Sequence, residues 1–525
     1  MPFRPIQRLT ALTASLTLLT ACTANHAPDA GSQQPRSGGT LRFGLDYAPT
    51  CLDPQLVTGA TPNLGLLDTL TAQDPLSGKI VAWLASSWQI DGTATTFTFH
   101  LRDGVTFSDG TPLNAAIVKT NYDKIVALGA KAGYGSQLLA GYRDATTPDE
   151  RTLVVRFARP NAQFLQATSD PALGVVAAAT LAKTPDQRCQ GAIVGSGPFV
   201  LRSYRPNQEV VVVGGREGYD WAPASATHHG QAYLDKIDVT FVPESGTRTG
   251  SLASGQVDVI GNVLPQDEPR FDGNGFHVLS RIEAGIVLGL IVNENRPLLQ
   301  DQKVRTALLK GINRGQIVKT SLTSRYKPAT SVLSSTTPYY TDLSAELAYD
   351  PDGASALLEQ DGWKVGADGI REKDGRKLTI DVIFGAVRSL ELVQQQLRDI
   401  GVDLKLRQLD LPSLGSALSS DGYDLFLRDA NRADPDVLRT LFSSTRIGAQ
   451  NIADPELQNA LDAQAATADA AKRAALVAEA QRQLVQHGHY LPINEKPTVV
   501  AAAATVHGLA FTAGATLTFY DTWLS

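Results

Sequence analysis

The chain is poor in cysteine, long apolar runs and positive charge. It has 3 Cys in 525 residues, which leaves room for at most one disulfide. No apolar stretch after the first 22 residues is long enough to span a bilayer. Basic residues number 47 against 53 acidic ones, a net charge of −6, which argues against nucleic acid and against a basic membrane-docking face. Several catalytic signatures are missing as well. There is no G-x-S-x-G elbow, no H-E-x-x-H pair and no G-x-x-x-x-G-K-[ST] loop, and "GSGPF" at 195–199 lacks the helix-opening context of a dinucleotide loop. No short-period repeat is visible. What remains is a length and composition suited to a large globular body of two or more domains, 43% of it hydrophobic.

The first 22 residues stand apart from that body. "MPFRPIQRLTALTASLTLLTAC" carries Arg4 and Arg8, then an apolar run from Leu9 to Leu19, then small residues ending at Cys22, and so reads as a secretory leader over residues 1–21. "LTAC" resembles the lipobox of bacterial lipoproteins. That resemblance implies lipidation of Cys22, with several acyl chains giving a stable anchor on the extracytoplasmic face of the cell membrane. Removing the leader takes Arg4 and Arg8 away and moves the charge from −6 to −8. Residues 22–38, rich in Ala, Pro, Gly, Ser and Gln, read as a flexible tether. Cys51 and Cys189 are the remaining thiols. Outside the membrane they can oxidise, so a disulfide between them is plausible, although spacing alone does not show that they are close.

Strand and helix signals alternate along the body. "TTFTFHLR" puts Phe97, Phe99 and Leu101 on one face with period two. A helix is expected from Asn114 as N-cap, with Val118, Tyr122 and Ile125 on one face and Gly129 at its end. Asp350-Pro351 opens another helix. "ELVQQQLRDIG" aligns Val393, Leu397 and Ile400 before Gly401, and "VDLKLRQ" then resumes alternation, which indicates an α/β body.

Six ordered segments carry a family resemblance: "FTFHLRDGVTFSDGTPLNAAIVKTNYD", "GSGPFVLRSYRPNQEVVVVGGREGYDW", "LDKIDVTFVPESGTRTGSLASGQVDVI", "GLIVNENRPLLQDQKVRTALLKGINRGQIV", "YDPDGASALLEQDGW" and "QQQLRDIGVDLKL". Over residues 39–525 the chain resembles the family 5 extracellular solute-binding proteins, the oligopeptide, dipeptide and nickel receptors of ABC importers. The resemblance implies a two-lobed periplasmic-binding-protein-like clamp of the class II, cluster C type. Lobe I would take residues 39–290 and 500–525, with an inserted subdomain at about 79–194, and lobe II would take 291–499. It further implies a monomer without cofactor or enzymatic activity. Such a receptor binds a peptide or small solute between its lobes and passes it to a permease served by a cytoplasmic ATPase. A small anionic or metal-chelating organic ligand is the alternative solute, and a lipoprotein hydrolase is the alternative of a different class.

Candidate site residues cluster in "DLFLRDANRADPD" (424–436). Alternation places Tyr423, Leu425 and Leu427 on one side, and Asp424, Phe426 and Arg428 on the other. Asp434-Pro435 reads as N-cap and first-turn proline of a helix through "DVLRTLF", with Asp436 favoured by the helix dipole. The spacing does not fit an EF-hand loop. In peptide-binding relatives this loop carries a pocket Trp and an Asp that pairs with the ligand ammonium. Anchoring on Asp434-Pro435 puts Arg428 at the first position and Asn431 at the second. Arg428 would present a planar fork to a carboxylate, or pair with Asp424 or Asp429, and a register slip would make Asp429 the amine partner. Phe426 and Arg432 complete this set. Tyr47, Thr50, Asn293 and Asn295 come from the family's lobe I strand end and crossover. Nickel-binding relatives carry an arginine downstream of a segment like "NAQFLQATSDP"; this chain continues "ALGVV" and has none there. His228-His229 and His487-x-His489 have no Cys or carboxylate nearby in sequence at ligand spacing, so no metal site is expected. His487 is expected to end a helix and His489 to pack near a strand.

Overall fold

Local signals hold where they are strongest. Asn114 accepts a hydrogen bond from the Ile117 N–H at 3.1 Å and starts the helix Ala115–Leu128, which buries Val118, Tyr122 and Ile125. Asp350 caps Pro351–Gln360 in the same way, through the Gly353 N–H at 2.8 Å. Thr96–Leu101 is a strand with Phe97, Phe99 and Leu101 buried, and Leu390–Asp399 buries Val393 and Leu397. The computed structural model describes residues 34–56, 62–273, 275–385, 390–444 and 452–525. The leader, Cys22 and the tether up to residue 33 lie outside them. Among the described residues no helix is long and apolar enough to cross a membrane.

Two large mixed sheets organise residues 36–525 into two lobes. The first has seven strands in the order 276–282, 497–503, 259–260, 40–45, 236–241, 209–213, 200–205. The second has six, in the order 327–328, 490–495, 285–292, 425–431, 379–384, 403–408. Each has its own hydrophobic core. Leu41, Phe43, Ile237 and Val239 belong to one, and Ile291, Leu308, Val382 and Leu425 to the other. A further four-stranded antiparallel sheet (85–90, 96–101, 152–157, 142–146) packs with the helix Ala115–Leu128, and its Phe97 and Phe99, with Phe164 from a short helix that follows, run into the first core. Cys51 and Cys189 are bonded, with S–S 2.03 Å. Beside them Arg188 and Asp53 form a buried ion pair at 2.7 Å.

The chain leaves the first sheet after Ile282 and enters the second at Gly285; it returns between Glu495 and Pro497. The boundaries expected at 290/291 and 499/500 therefore move. "GIVLGLIV" (285–292) is an apolar run buried on both faces, so it belongs to the interior of the second sheet. The two crossovers lie side by side, joined by the Glu283 N–H donating to the Lys496 carbonyl at 2.9 Å. Gly285 begins the second sheet with φ +116°, and a Cβ there would stand 2.0 Å from the Ala430 carbonyl oxygen. Only glycine fits that position.

Candidate ligand-binding cleft

Strand direction gives the candidate cleft its place. In the second sheet, 425–431 runs parallel to 379–384 and antiparallel to 285–292, with Asn431 opposite Gly285 and Leu425 opposite Val292. Its carboxyl end is therefore at the crossovers. In the first sheet, 40–45 is parallel to 259–260, which is antiparallel to 497–503, so the carboxyl end at Leu45 also faces the crossover at Lys496. Open α/β sheets bind ligands outside such carboxyl ends.

This geometry sorts the candidates. Asp429, Asn431 and Arg432 belong to or directly follow the crossover half of the strand Leu425–Asn431, with Arg428 at its middle, whereas Phe426 sits opposite Ile291 near the far end. Tyr47 and Thr50 follow the corresponding end in the first lobe. Tyr47 packs against that lobe's core, and burial, with a contribution from Asp46, pushes its hydroxyl pKa up to about 12. Thr50 is exposed. Asn293 and Asn295 do not join the site. They follow Val292 at the far end of the sheet, roughly 20 Å from Asn431 at about 3.3 Å per strand residue. There the buried Asn293 amide donates to Asp421 at 2.7 Å and to the Tyr423 carbonyl at 2.9 Å, and its oxygen accepts the Asn295 N–H at 3.2 Å.

Charges on the strand are partly committed. Asp424 pairs with Arg296 at 2.7 Å and accepts the Asp381 N–H, so it is not the partner of Arg428. Asp429 pairs with Lys496 at 2.5 Å, and Lys496 also reaches Glu283 at 3.3 Å, which ties this strand to both crossovers. Burial pushes the Glu283 carboxyl pKa up. The Arg428 guanidinium lies 5.9 Å from the Phe426 ring centre. Leu425, Phe426 and Leu427 are all buried, because an interior strand is covered on both faces, so the expected two-sided alternation does not separate core from solvent.

Arg432 is where the two lobes meet. Its guanidinium sits 5.2 Å from the ring centre of Tyr134, which belongs to the first lobe. One Nη donates to Thr440 at 2.8 Å, while the buried Nε has no hydrogen-bond partner among the described residues. Burial lowers the Arg432 pKa, but Tyr134, Asp436, Asp434 and Asp170 raise it by more, so the guanidinium stays charged. Asp170, from "ATSDP" of the first lobe, is raised by burial, an effect opposed by the Ala172 N–H, Arg432 and Tyr134. Three further contacts join the lobes. Asn431 donates to the Gly514 carbonyl at 2.8 Å, Ala162 N–H donates to Ala465 at 2.9 Å, and Arg325 pairs with Glu268 and Asp272 at 2.8 and 2.9 Å.

Asp434 is not the cap of the next helix. That helix runs Val437–Phe442 with Asp436 at the cap position, and Asp434 accepts the Asp436 N–H at 2.8 Å in the preceding turn. Arg473 holds both Asp434 oxygens, at 2.7 and 3.1 Å, which draws that carboxylate away from the helix start. Sequence reasoning missed Tyr134, Asp170, Lys496 and Glu283 as partners. Asp170 stood inside a segment already singled out for its family context, whereas Tyr134 carried no signal beyond its glycine neighbours.

A family model for the bacterial extracellular solute-binding proteins, family 5, matches residues 79–451, most of both lobes. The chain belongs to this family. Within family 5 it is similar to the nickel-binding periplasmic protein of Escherichia coli K12, 27% identical over 438 residues covering 79% of this chain and 81% of that protein. A putative ABC transporter peptide-binding protein of Brucella ovis is 24% identical over 461 residues, 83% of this chain and 84% of that one. The fold is that of NikA from Brucella suis, solved with Fe(III)-EDTA, at TM-score 0.80 and 23% identity over 93% of this chain and all (100%) of that one. It is also that of DppA from Helicobacter pylori, solved with the peptide STSA, at TM-score 0.74 and 21% identity, covering 93% and 98%. Family 5 proteins are extracytoplasmic binding proteins of ABC importers, so the two lobes and the crossovers form a binding fold.

Proposed function

We propose that this chain is a monomeric extracytoplasmic receptor, tethered by lipid at Cys22, that closes its lobes on a carboxylate-bearing solute and presents the closed form to an ABC permease. A short peptide is the first reading of that solute. The observation that carries it is the buried, charged Arg432, held between the lobes against Tyr134 with its Nε unpartnered. A desolvated donor without an acceptor costs free energy, and a ligand carboxylate reaching it would recover that cost while touching both lobes. A ligand that binds the closed arrangement better than the open one shifts the population by that difference, and no chemistry on the solute is needed.

A second reading, an anionic metal chelate or similar small organic acid, has its own support. Arg428 and Arg432 lie along one strand and its exit, Asn431 is neutral, and the Asp429 carboxylate is already held by Lys496. A free peptide ammonium would have to find its counter-charge elsewhere, with Asp170 of the first lobe as one choice beside Arg432. Thermal-shift screening of the purified chain against short peptides and chelated metals separates the two, because a tight ligand raises the melting temperature by mass action. Arg432→Gln is expected to weaken the ligand so found by roughly 10- to 100-fold, the value of one charge-assisted hydrogen bond. An unchanged Kd in that variant, with the fold intact, overturns the assignment of Arg432.

A further inference from the structure

Away from the cleft, one group of side chains among the described residues brings metal-type donors together. Asp454, His487 and His489 each offer a ligand atom, and these atoms all lie within 4.8 Å of one another. The His489 carbonyl accepts the Val292 N–H at 3.3 Å, which puts the group at the end of the second sheet opposite Gly285 and Asn431. It opens into a cleft of about 640 Å³ bordered by Gln300, Gln302 and Glu456. The absence of nearby carboxylates in sequence is thus misleading, since the fold supplies two of them.

The donors are held in place from behind. Asp454 Oδ2 lies 2.6 Å from His487 Nδ1 and 3.1 Å from His489 Nε2. Its other oxygen accepts the Glu456 and Leu457 N–H groups at 3.0 and 2.9 Å, which fixes the carboxylate plane. Glu294 hydrogen-bonds His489 Nδ1 and lies 3.4 Å from Arg305, while Arg305 Nε donates to the His487 carbonyl at 2.8 Å. A carboxylate behind one ring nitrogen orients an imidazole for a metal on the other. With Nδ1–H donated to Glu294, Nε2 of the neutral ring is an acceptor that faces another acceptor, Asp454 Oδ2. Two acceptors face each other across 3.1 Å when a cation lies between them, either a ring proton or a metal ion.

We propose that Asp454, His487 and His489 form a divalent transition-metal site of the zinc class, with the remaining coordination positions open to the neighbouring cleft. Two imidazoles and one carboxylate suit zinc, cobalt, nickel or copper(II), and do not suit the all-oxygen preference of calcium or magnesium. The site is separate from the solute cleft and does not rest on the reading given to it. A bound ion would join the start of the helix Pro455–Ala465 to the end of the helix Ala470–Gln486.

The test uses the purified chain without tag histidines, stripped with EDTA and exchanged into chelator-free buffer, with metal salts alone. One equivalent of cobalt(II) should give a visible absorption band that zinc(II) displaces, and zinc should raise the melting temperature. Asp454→Asn keeps a capping side chain and His487→Gln is a partly exposed change, so both should fold and lose the band. Glu294→Gln should weaken binding roughly 10- to 100-fold and keep the spectrum. His229→Gln, at an exposed histidine elsewhere, should change nothing. No one-equivalent band, or an unaltered titration in Asp454→Asn and His487→Gln, overturns the proposal.

Discussion

Asp68 is buried in the first lobe with its Oδ2 accepting the Trp221 indole N–H at 2.8 Å. Burial raises its pKa to about 6, and Trp221, Ser196 and Arg216 offset only part of that rise. The folded pKa is thus above the unfolded one. The stability it contributes is present in full below about pH 4 and is lost as pH rises through about 6. Asp68→Asn keeps an acceptor for the indole and removes the titration. The melting-temperature difference between this variant and the parent should therefore grow in the variant's favour between pH 4 and 7, by an amount on the order of a few kcal/mol of stability. A pH-independent difference would remove Asp68 as the titrating group. Asp454 has the opposite sign. The Leu457 N–H and both histidines outweigh its burial and hold it at about 2, so its contribution persists above its ordinary range and is lost only as pH falls towards 2.

Helix starts and strand faces are local properties, so the sequence displays them. Asn114→Ala should lower stability by about 1 kcal/mol, measured by denaturant titration, because the Ile117 N–H would lose its acceptor. Gly285→Ala should cost more, since the added Cβ meets the Ala430 carbonyl at 2.0 Å on a positive-φ residue; an unchanged denaturation midpoint would show that the crossover can relax. The same locality explains what could not be read. Asp434 has a capping residue's pattern, but its carboxylate is taken by Arg473, 39 residues away. His489 looked isolated because Glu294 is 195 residues away and Asp454 is 35. Asn293 resembled a crossover ligand residue until strand polarity placed it at the far end of the sheet. The Arg428–Arg432 stretch stood out as a candidate because four of the expected residues follow one another along a single strand and its exit. The group that Arg432 meets, Tyr134 with Asp170, comes from the other lobe and leaves no periodic trace.

At the scale of the whole molecule, the two paired crossovers and the Lys496 link to Glu283 and Asp429 leave the lobes a narrow hinge, while Arg432, Asn431 and Arg325 meet the opposite lobe around it. The Cys51–Cys189 bond lies wholly within the first lobe and spans 138 residues. In a chain-entropy picture such a closure restricts the unfolded state by about 5 kcal/mol at most, so reduction should lower the melting temperature, and no change would assign the bond no role in stability. The bond also makes a covalent ring of everything between those cysteines, including the entire four-stranded sheet and the helix Ala115–Leu128. A protease that cuts once inside the ring releases nothing: the nicked protein keeps its mass on a non-reducing gel and separates into two pieces only after a thiol is added. The four-stranded sheet and its helix thus stay attached to the rest of the chain after a single break in their backbone.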